Sequence, residues 1–166
     1  MAKTWLPPVE YLATLPRATA YACLYFTDTE GRPFQLRSVY GSEAWQWPGG
    51  NMDPGETPWE TAVRECREET GIEFAGEPRL LGAHFLASHS EDWPANNIGF
   101  IFDGGTLDDE QIAGVVLDPE EHTEYRVLTP AEWEREMTPR NFLRLAQIDR
   151  ARREGTAVYL ETSAFA

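Results

Sequence analysis

A helix with clear start and stop signals lies near the middle of the chain, at residues 57–71, and limits the folds open to the sequence. Thr57 and Glu60 form a capping-box pair around Pro58, which favours the first helical turn. Gly71 stands where many helices end in a left-handed residue. One side of the helix is apolar and consists of Trp59, Ala62, Val63 and Cys66. We therefore expect that side to pack against a sheet.

Another side of this helix carries three glutamates: Glu65, Glu68 and Glu69. At about 100° per residue, Glu68 lies about 60° to one side of Glu65, and Glu69 about 40° to the other. Each like-charged pair opposes the helix by roughly 0.2–0.5 kcal/mol, and the helix dipole disfavours anions in the last turn. Bound Mg²⁺ or Mn²⁺ would reverse this effect, because both prefer oxygen ligands. The alternative is a solvated acidic surface.

The residues around the glutamates favour a metal site. Residues 48–50, Pro-Gly-Gly, predict a tight loop whose backbone can approach a ligand closely. Glu56 stands just before the helix, and Arg64 is placed to hold a glutamate in orientation.

Residues 50–72, GNMDPGETPWETAVRECREETGI, resemble the Nudix box, and every fixed position of that motif is filled. Cys66 occupies an apolar position and behaves as a small hydrophobe. The resemblance implies an α/β fold, the Nudix-type α/β/α sandwich with a mixed β-sheet between helices. It also implies a hydrolase that cleaves the pyrophosphate bond of a nucleoside diphosphate linked to another group.

The resemblance further implies roles for individual residues. The implied metal ligands are Gly49, through its carbonyl, and Glu65, Glu68 and Glu69. The implied supporting residues are Glu56, Gly50 and Gly71, and Arg64 joins the catalytic set by orienting the ligands. The implied cofactor is Mg²⁺ or Mn²⁺, with two or three ions when substrate is bound.

A general base outside the box is sought in residues 103–124, which contain eight acids and no lysine or arginine. We choose Glu124, because members of the family often place an acid before a strand in this region. Glu120 and Glu121 come next, and an exposed acidic loop is the alternative for each of them. The neighbouring acids are expected to raise the pKa of His122.

Aromatic residues outside the box are candidates for substrate binding. Trp47 and Trp93 are expected to stack on a nucleobase, with packing in the core or at its rim as the alternative. Trp93 lies in the polar segment 88–97, which is interpreted as a substrate loop.

The charge balance favours a small substrate. With 28 acids against 14 bases, the formal net charge is −14, so we expect no nucleic-acid partner and no membrane partner.

Two cysteines without CxxC spacing predict neither a disulfide framework nor a zinc site. The N-terminus resembles no signal peptide, and no apolar run is long enough to cross a bilayer. We therefore expect a cytoplasmic protein.

The chain length predicts one domain over residues 1–166, and the positions of proline and glycine residues predict a short N-terminal helical extension over residues 1–17. Residues 18–27 and 33–40 flank a polar turn and predict a hairpin. Further strands are predicted at 79–87, 97–103, 124–128 and 158–160. Further helices are predicted from residue 129 and over about 139–154.

Two questions stay open at this level. ADP-ribose, nucleotide sugars, dinucleotide polyphosphates and nucleoside triphosphates are all candidate substrates. A non-catalytic nucleotide-binding or sensor module is the alternative function, although such a module would be expected to lose some of the glutamates. By analogy with the family we also expect a homodimer.

Overall fold

The computed structural model describes residues 5–40, 45–87 and 94–162. Its helices are α1 (Pro8–Ala13), α2 (Pro58–Thr70), α3 (Asp109–Ala113), α4 (Pro130–Glu136) and α5 (Pro139–Glu154). Its strands are β1 (Ala18–Asp28), β2 (Phe34–Ser38), β3 (Trp45–Gln46), β4 (Gly49–Asn51), β5 (Leu80–Leu86), β6 (Asn96–Leu107), β7 (His122–Val127) and β8 (Val158–Thr162). Within these ranges, no helix has both the length and the hydropathy needed to cross a bilayer.

The strands form two sheets. The larger sheet has the order β4-β1-β6-β5-β8, and the smaller has the order β3-β2-β7. In the larger sheet β1 runs parallel to β6 and antiparallel to β4. This arrangement confirms the predicted mixed sheet and the α/β class.

Each face of the larger sheet has its own core, because side chains along β1 point alternately to the two faces. The core under α2 includes Ala22, Leu24 and Phe26 of β1 with Ala62 and Cys66 of α2. The core under α5 includes Cys23 and Tyr25 of β1 with Leu145 and Ile148 of α5. Helices thus cover both faces, as the predicted sandwich requires.

The connection between β1 and β2 differs from the predicted hairpin. Among the described residues a single bridge, Thr27 to Pro33, joins the two segments, while β2 pairs with β3 and β7 in the smaller sheet. The predicted polar turn is present, and the Asp28 carboxylate accepts hydrogen bonds from the backbone N–H groups of Glu30 and Arg32 within it. Polar turn residues signal a change of direction, but they do not decide which sheet the next strand joins.

Other boundaries shift by a few residues. β6 continues to Leu107, four residues beyond the predicted end at residue 103. β4 and α3 lie in stretches interpreted as a glycine loop and an acidic loop. The helix predicted over 139–154 matches α5. The boundaries of the domain as a whole stay a prediction.

Trp133 of α4 links the two sheets and offers a test of the core. It is fully buried, packs edge-to-face with Trp45, and donates its indole N–H to the Pro33 carbonyl at 2.9 Å. Trp133→Phe should lower the free energy of unfolding by about 1–3 kcal/mol, because a buried hydrogen bond and part of the ring contact are lost. Urea denaturation measures the loss. The matched control is Trp5→Phe at a 79 % exposed position, where the change should stay within about 0.5 kcal/mol. Equal losses in the two variants would contradict the assignment.

Candidate active site

Strand β4 brings the backbone of two glycines against the acidic side of α2. A Cβ atom on Gly50 would lie 2.5 Å from the carboxylate carbon of Glu65. A Cβ atom on Gly49 would lie 2.3 Å from the carbonyl oxygen of Ala22, and Gly49 has φ 153°. A side chain at Gly49 is therefore excluded by the backbone of β1, and a side chain at Gly50 would displace the Glu65 carboxylate. The backbone N–H of Gly49 donates directly to the Glu69 carboxylate at 2.7 Å.

The carboxylate of Glu69 is buried and surrounded by other acidic side chains. Its exposed fraction is 3 %. Burial raises the pKa of Glu69 to about 9; the Gly49 N–H lowers it, while the nearby charges of Glu65, Glu121 and Glu68 raise it further. Without a cation, this carboxyl would therefore hold a proton at neutral pH. A divalent ion would favour the charged form instead.

Arg64 connects Glu56, which precedes the helix, with Glu65 and Glu68 of α2. Its guanidinium donates to Glu56 at 2.7 Å, to Glu65 at 2.9 Å and to Glu68 at 2.9 Å. Glu56 also accepts the Thr61 hydroxyl at 2.7 Å. Hydrogen bonds from Arg64 and Thr61 lower the pKa of Glu56 to about 2, while burial raises the pKa of Glu65 against the opposing effect of Arg64. One cation thus holds three carboxylates in place.

The segment before β7 is fastened to the end of α2. The backbone N–H of Val116 donates to the Thr70 carbonyl at 2.9 Å, and that of Asp118 donates to the Glu69 carbonyl at 3.3 Å. These bonds satisfy carbonyls that a helix end leaves without a partner. The chain then enters β7 beside the acidic side of α2.

Glu121 and His122 consequently join Glu69. One ligand atom from each of these three residues lies within 4.8 Å of the others. His122 Nε2 lies 3.7 Å from Glu69 Oε1 and 3.0 Å from Gln46 Nε2. Burial lowers the pKa of His122 and outweighs the charge of Asp118, which raises it, so the expectation of a raised pKa is wrong. A neutral imidazole and two carboxylates form a donor set suited to a divalent cation.

Comparison with known families shows which family the chain belongs to. The model of the NUDIX domain matches residues 16–147, which is most of the chain. The chain belongs to the Nudix family. The RNA pyrophosphohydrolase of Novosphingobium aromaticivorans is 30 % identical over 120 residues, which cover 63 % of this chain and 73 % of that protein.

Other relatives match over shorter stretches of the chain. The asymmetrical bis(5'-nucleosyl)-tetraphosphatase of Mus musculus is 55 % identical over 38 residues, which cover 23 % of this chain and 26 % of that protein. The RNA pyrophosphohydrolase of Erythrobacter litoralis is 62 % identical over 53 residues, 31 % of this chain and 32 % of that protein. The chain thus covers about a quarter to a third of the length of these two relatives.

Solved structures share the Nudix fold. A MutT protein from Methanosarcina mazei Go1 is similar with a TM-score of 0.65 and 26 % identity, covering 84 % of this chain and 96 % of that chain. An Ap4A hydrolase from C. elegans has a TM-score of 0.57 and 18 % identity, with the same coverage of 84 % and 96 %, and shows likeness of fold alone.

The structure of this Nudix domain brings most of the sequence-based candidates together. Glu65, Glu68 and Glu69 share one side of α2, and Arg64 contacts the first two. Gly71 ends the helix with φ 71°, as its cap. For Gly49 the structure shows a contact of the N–H group, whereas the predicted role of its carbonyl stays a prediction.

Glu124 is placed differently from the expectation. Its carboxylate pairs with Arg37 at 2.8 Å and with Arg126 at 3.0 Å. The contact with Arg37, followed by that with Arg126, lowers the pKa of Glu124 against the opposing effect of burial. A carboxylate held by two guanidinium groups is a poor proton acceptor. The contacts favour Glu121, the neighbour of Glu69, in the role first given to Glu124.

The two tryptophan candidates have different outcomes. Trp47 is only 4 % exposed, its ring packs edge-on against Tyr25, and the Arg144 guanidinium lies over it at 4.7 Å. It therefore has no free face for a nucleobase, and its expected stacking on substrate is corrected to a packing role. Trp93 lies outside the described residues.

Two residues beside Glu69, Gln46 and His122, carry no local signal for a role in the site, and the sequence ranks Glu121 only after Glu124. Gln46, Glu121 and His122 come from the smaller sheet or its border, and their approach to Glu69 depends on how the chain folds between them. The abundance of acids in residues 103–124 pointed to the segment but not to the residue.

The Glu56–Arg64 contact makes a prediction about acid stability. Because the pKa of Glu56 falls to about 2 in the folded protein, the unfolded chain binds more protons between about pH 2 and its ordinary pKa near 4.5. The contact therefore stabilises the fold above that range and is lost as pH falls through it. Glu56→Gln should lower the urea midpoint at pH 7 and flatten its decline below pH 4.5. Glu134→Gln, at an exposed position of α4, is the control and should follow wild type. A decline as steep in Glu56→Gln as in wild type would rule out this linkage.

Proposed function

We propose that this Nudix domain is a metal-dependent hydrolase that cleaves the pyrophosphate bond of a nucleoside diphosphate linked to another group. The observation that carries the proposal is the burial of Glu69 among Glu65, Glu121 and His122, beside Gly50, where a side chain would displace the Glu65 carboxylate. Such crowding is costly unless a cation is bound.

The donor set fits Mg²⁺ or Mn²⁺. Glu65, Glu68 and Glu69 would hold the cations, with the Gly49 carbonyl as a further oxygen ligand. When bound, such ions neutralise phosphate charge and lower the pKa of a water molecule. Carboxylates, with water and substrate phosphates, are the usual Mg²⁺ environment, and two or three ions would accompany bound substrate.

The residues of the chain then have separate tasks. Arg64 keeps the carboxylates of Glu65 and Glu68 in position through its two 2.9 Å contacts. An exposed carboxylate oxygen of Glu121 accepts the proton of the attacking water as the P–O bond forms. The bridging P–O bond breaks, and the leaving phosphate carries away its electron pair. Glu121 is preferred over Glu124 as base because no arginine is paired with it in the described part of the chain.

The names of the relatives indicate which substrates to test first. RNA pyrophosphohydrolases and asymmetrical bis(5'-nucleosyl)-tetraphosphatases point to the 5' end of RNA and to dinucleoside polyphosphates. The expectation of no nucleic-acid partner stays untested, and a 5'-terminal phosphate group requires far fewer basic contacts than a duplex. ADP-ribose and nucleotide sugars complete the panel. The homodimer and the cytoplasmic location also stay predictions.

The primary test is a screen for cleavage of this panel with Mg²⁺ or Mn²⁺ and with EDTA. Glu69→Gln and Glu68→Gln should each lower kcat by more than about 100-fold, because losing a residue that merely supports a metal ligand already costs about 10- to 100-fold. Glu69→Gln resembles the protonated acid and should keep the wild-type melting temperature. Binding without turnover by wild type would favour the sensor module, and activity that persists in EDTA or in both variants would overturn the proposal.

A second test separates the two candidate bases. Glu121→Gln should lower kcat by about 100- to 10,000-fold, the usual contribution of a general base. Glu124→Gln removes an ion pair from β7 and should leave kcat near the wild-type value, with a small loss of stability. The pH dependence of kcat distinguishes a lost base from a lost fold, since the acidic limb should flatten in Glu121→Gln alone. The opposite ranking of the two variants would restore Glu124.

A further inference from the structure

A cavity lies beside the candidate active site, between β3 and the beginning of α5. Its volume is about 370 Å³, and its lining includes Trp45, Gln46, His84, Arg140, Arg144 and Thr162. Gln46 connects it to the site, because the Gln46 amide lies 3.0 Å from His122, which in turn lies 3.7 Å from Glu69. The cavity therefore begins two side chains away from the proposed metal ligands.

The charge of this cavity is opposite to that of the chain. The net charge of the protein is −14, yet the described lining of the cavity contains Arg140 and Arg144 and no acid. Several arginines elsewhere are neutralised by carboxylates, as Arg37 is by Glu124 and Arg152 by Asp103. In the described part of the chain, Arg140 and Arg144 have no such ion pair. Two uncompensated guanidinium groups in one concave site favour an anion.

The guanidinium group of Arg144 is held in a fixed orientation by Trp47. Its guanidinium lies over the Trp47 ring at 4.7 Å, which fixes the plane of the group. Its Nε atom is buried and has no hydrogen-bond partner in the part of the chain that the structure describes. A buried donor without a partner is costly, and a planar guanidinium matches the oxygens of a phosphate. Because Arg144 also lines the cavity and has no carboxylate partner in the described residues, its guanidinium group is available to an anionic ligand there.

His84 does not supply a competing charge. Its two ring nitrogens contact the Tyr21 hydroxyl at 3.1 Å and the Thr162 hydroxyl at 2.8 Å. Burial, with help from Arg144 and Arg140, lowers the pKa of His84 to about 4. The imidazole is therefore neutral at physiological pH, and the two arginines provide the charge of the cavity.

We propose that this cavity binds a phosphate of the substrate beyond the two phosphates joined by the scissile bond, with Arg144 and Arg140 as its contacts. The inference rests on the proposed function and narrows its substrate class. Dinucleoside polyphosphates and 5'-triphosphorylated RNA carry such a phosphate. ADP-ribose and nucleotide sugars have only two phosphates, both of which belong to the scissile bond.

The test is selectivity rather than activity alone. Steady-state kcat and KM are measured for diadenosine tetraphosphate, a 5'-triphosphorylated RNA trinucleotide and ADP-ribose. Wild type should prefer at least one of the first two. Arg140→Gln and Arg144→Gln should each lower the ratio of its kcat/KM to that for ADP-ribose by roughly 10- to 100-fold, mainly through KM, as expected for a lost charged hydrogen bond. A fall for the RNA substrate alone identifies a phosphodiester as the group in the cavity, and a fall for diadenosine tetraphosphate identifies a phosphate of the polyphosphate chain.

Controls separate binding from folding and from charge. Arg150→Gln removes the same charge from an exposed position of α5 and should leave the ratio unchanged. Arg144→Lys keeps the charge without the planar group and should give an intermediate ratio. Arg140 is exposed, so its glutamine variant should keep the wild-type melting temperature even if Arg144→Gln does not.

The outcomes distinguish this inference from the proposed function. If wild type cleaves substrates but prefers ADP-ribose, or if Arg140→Gln and Arg150→Gln give the same ratio, the cavity assignment is overturned and the hydrolase stands. If wild type cleaves nothing in the full panel, the proposed function fails and the cavity assignment fails with it.

Discussion

The approach of β4 to the acidic side of α2 is the contact on which the rest of the site depends. Two consecutive glycines let the backbone touch the carboxylates of Glu65 and Glu69 without an intervening side chain. β4 is itself paired with β1, the strand that carries both cores. The carboxylates are therefore positioned by the sheet and not only by their own helix, and the electrostatic cost of crowding them is imposed by the fold.

That cost is only partly offset within the chain. Arg64 compensates Glu65 and Glu68 at the exposed end of the cluster. Glu69 lies deeper, where its partners are one backbone N–H and further acids, and the pKa raised to about 9 is the consequence. The compensation thus decreases with depth. A cation binding at the deep end would meet the least-compensated carboxylate, which is the arrangement expected of a metal site rather than of a solvated acidic surface.

Much of this could be predicted from the sequence because it is local. The capping box, the final glycine and the helical period place Glu65, Glu68 and Glu69 on one side of α2 from neighbouring residues alone. The contribution of the smaller sheet could not be predicted in the same way. Arg37 faces Glu124 and Ser38 faces His122, so the register of β7 against β2 shifts between these pairs. Such an irregularity turns residues that simple alternation would put on one face toward different surroundings, and it explains why Glu124 meets arginines while His122 meets Glu69.

The same reasoning shows why an acidic chain is compatible with an anionic substrate. Repulsion from a net charge of −14 acts over distance, but mobile ions screen it beyond about 8 Å at physiological ionic strength. In the proposed mode of binding, affinity is decided at contact distance, where the deep carboxylates would hold cations and the neighbouring cavity presents Arg140 and Arg144. Distant surface acids would then reduce non-specific attraction to other phosphates without weakening the contacts inside. Selectivity for a particular phosphate arrangement would follow from the distance between the metal ligands on α2 and the two arginines on α5.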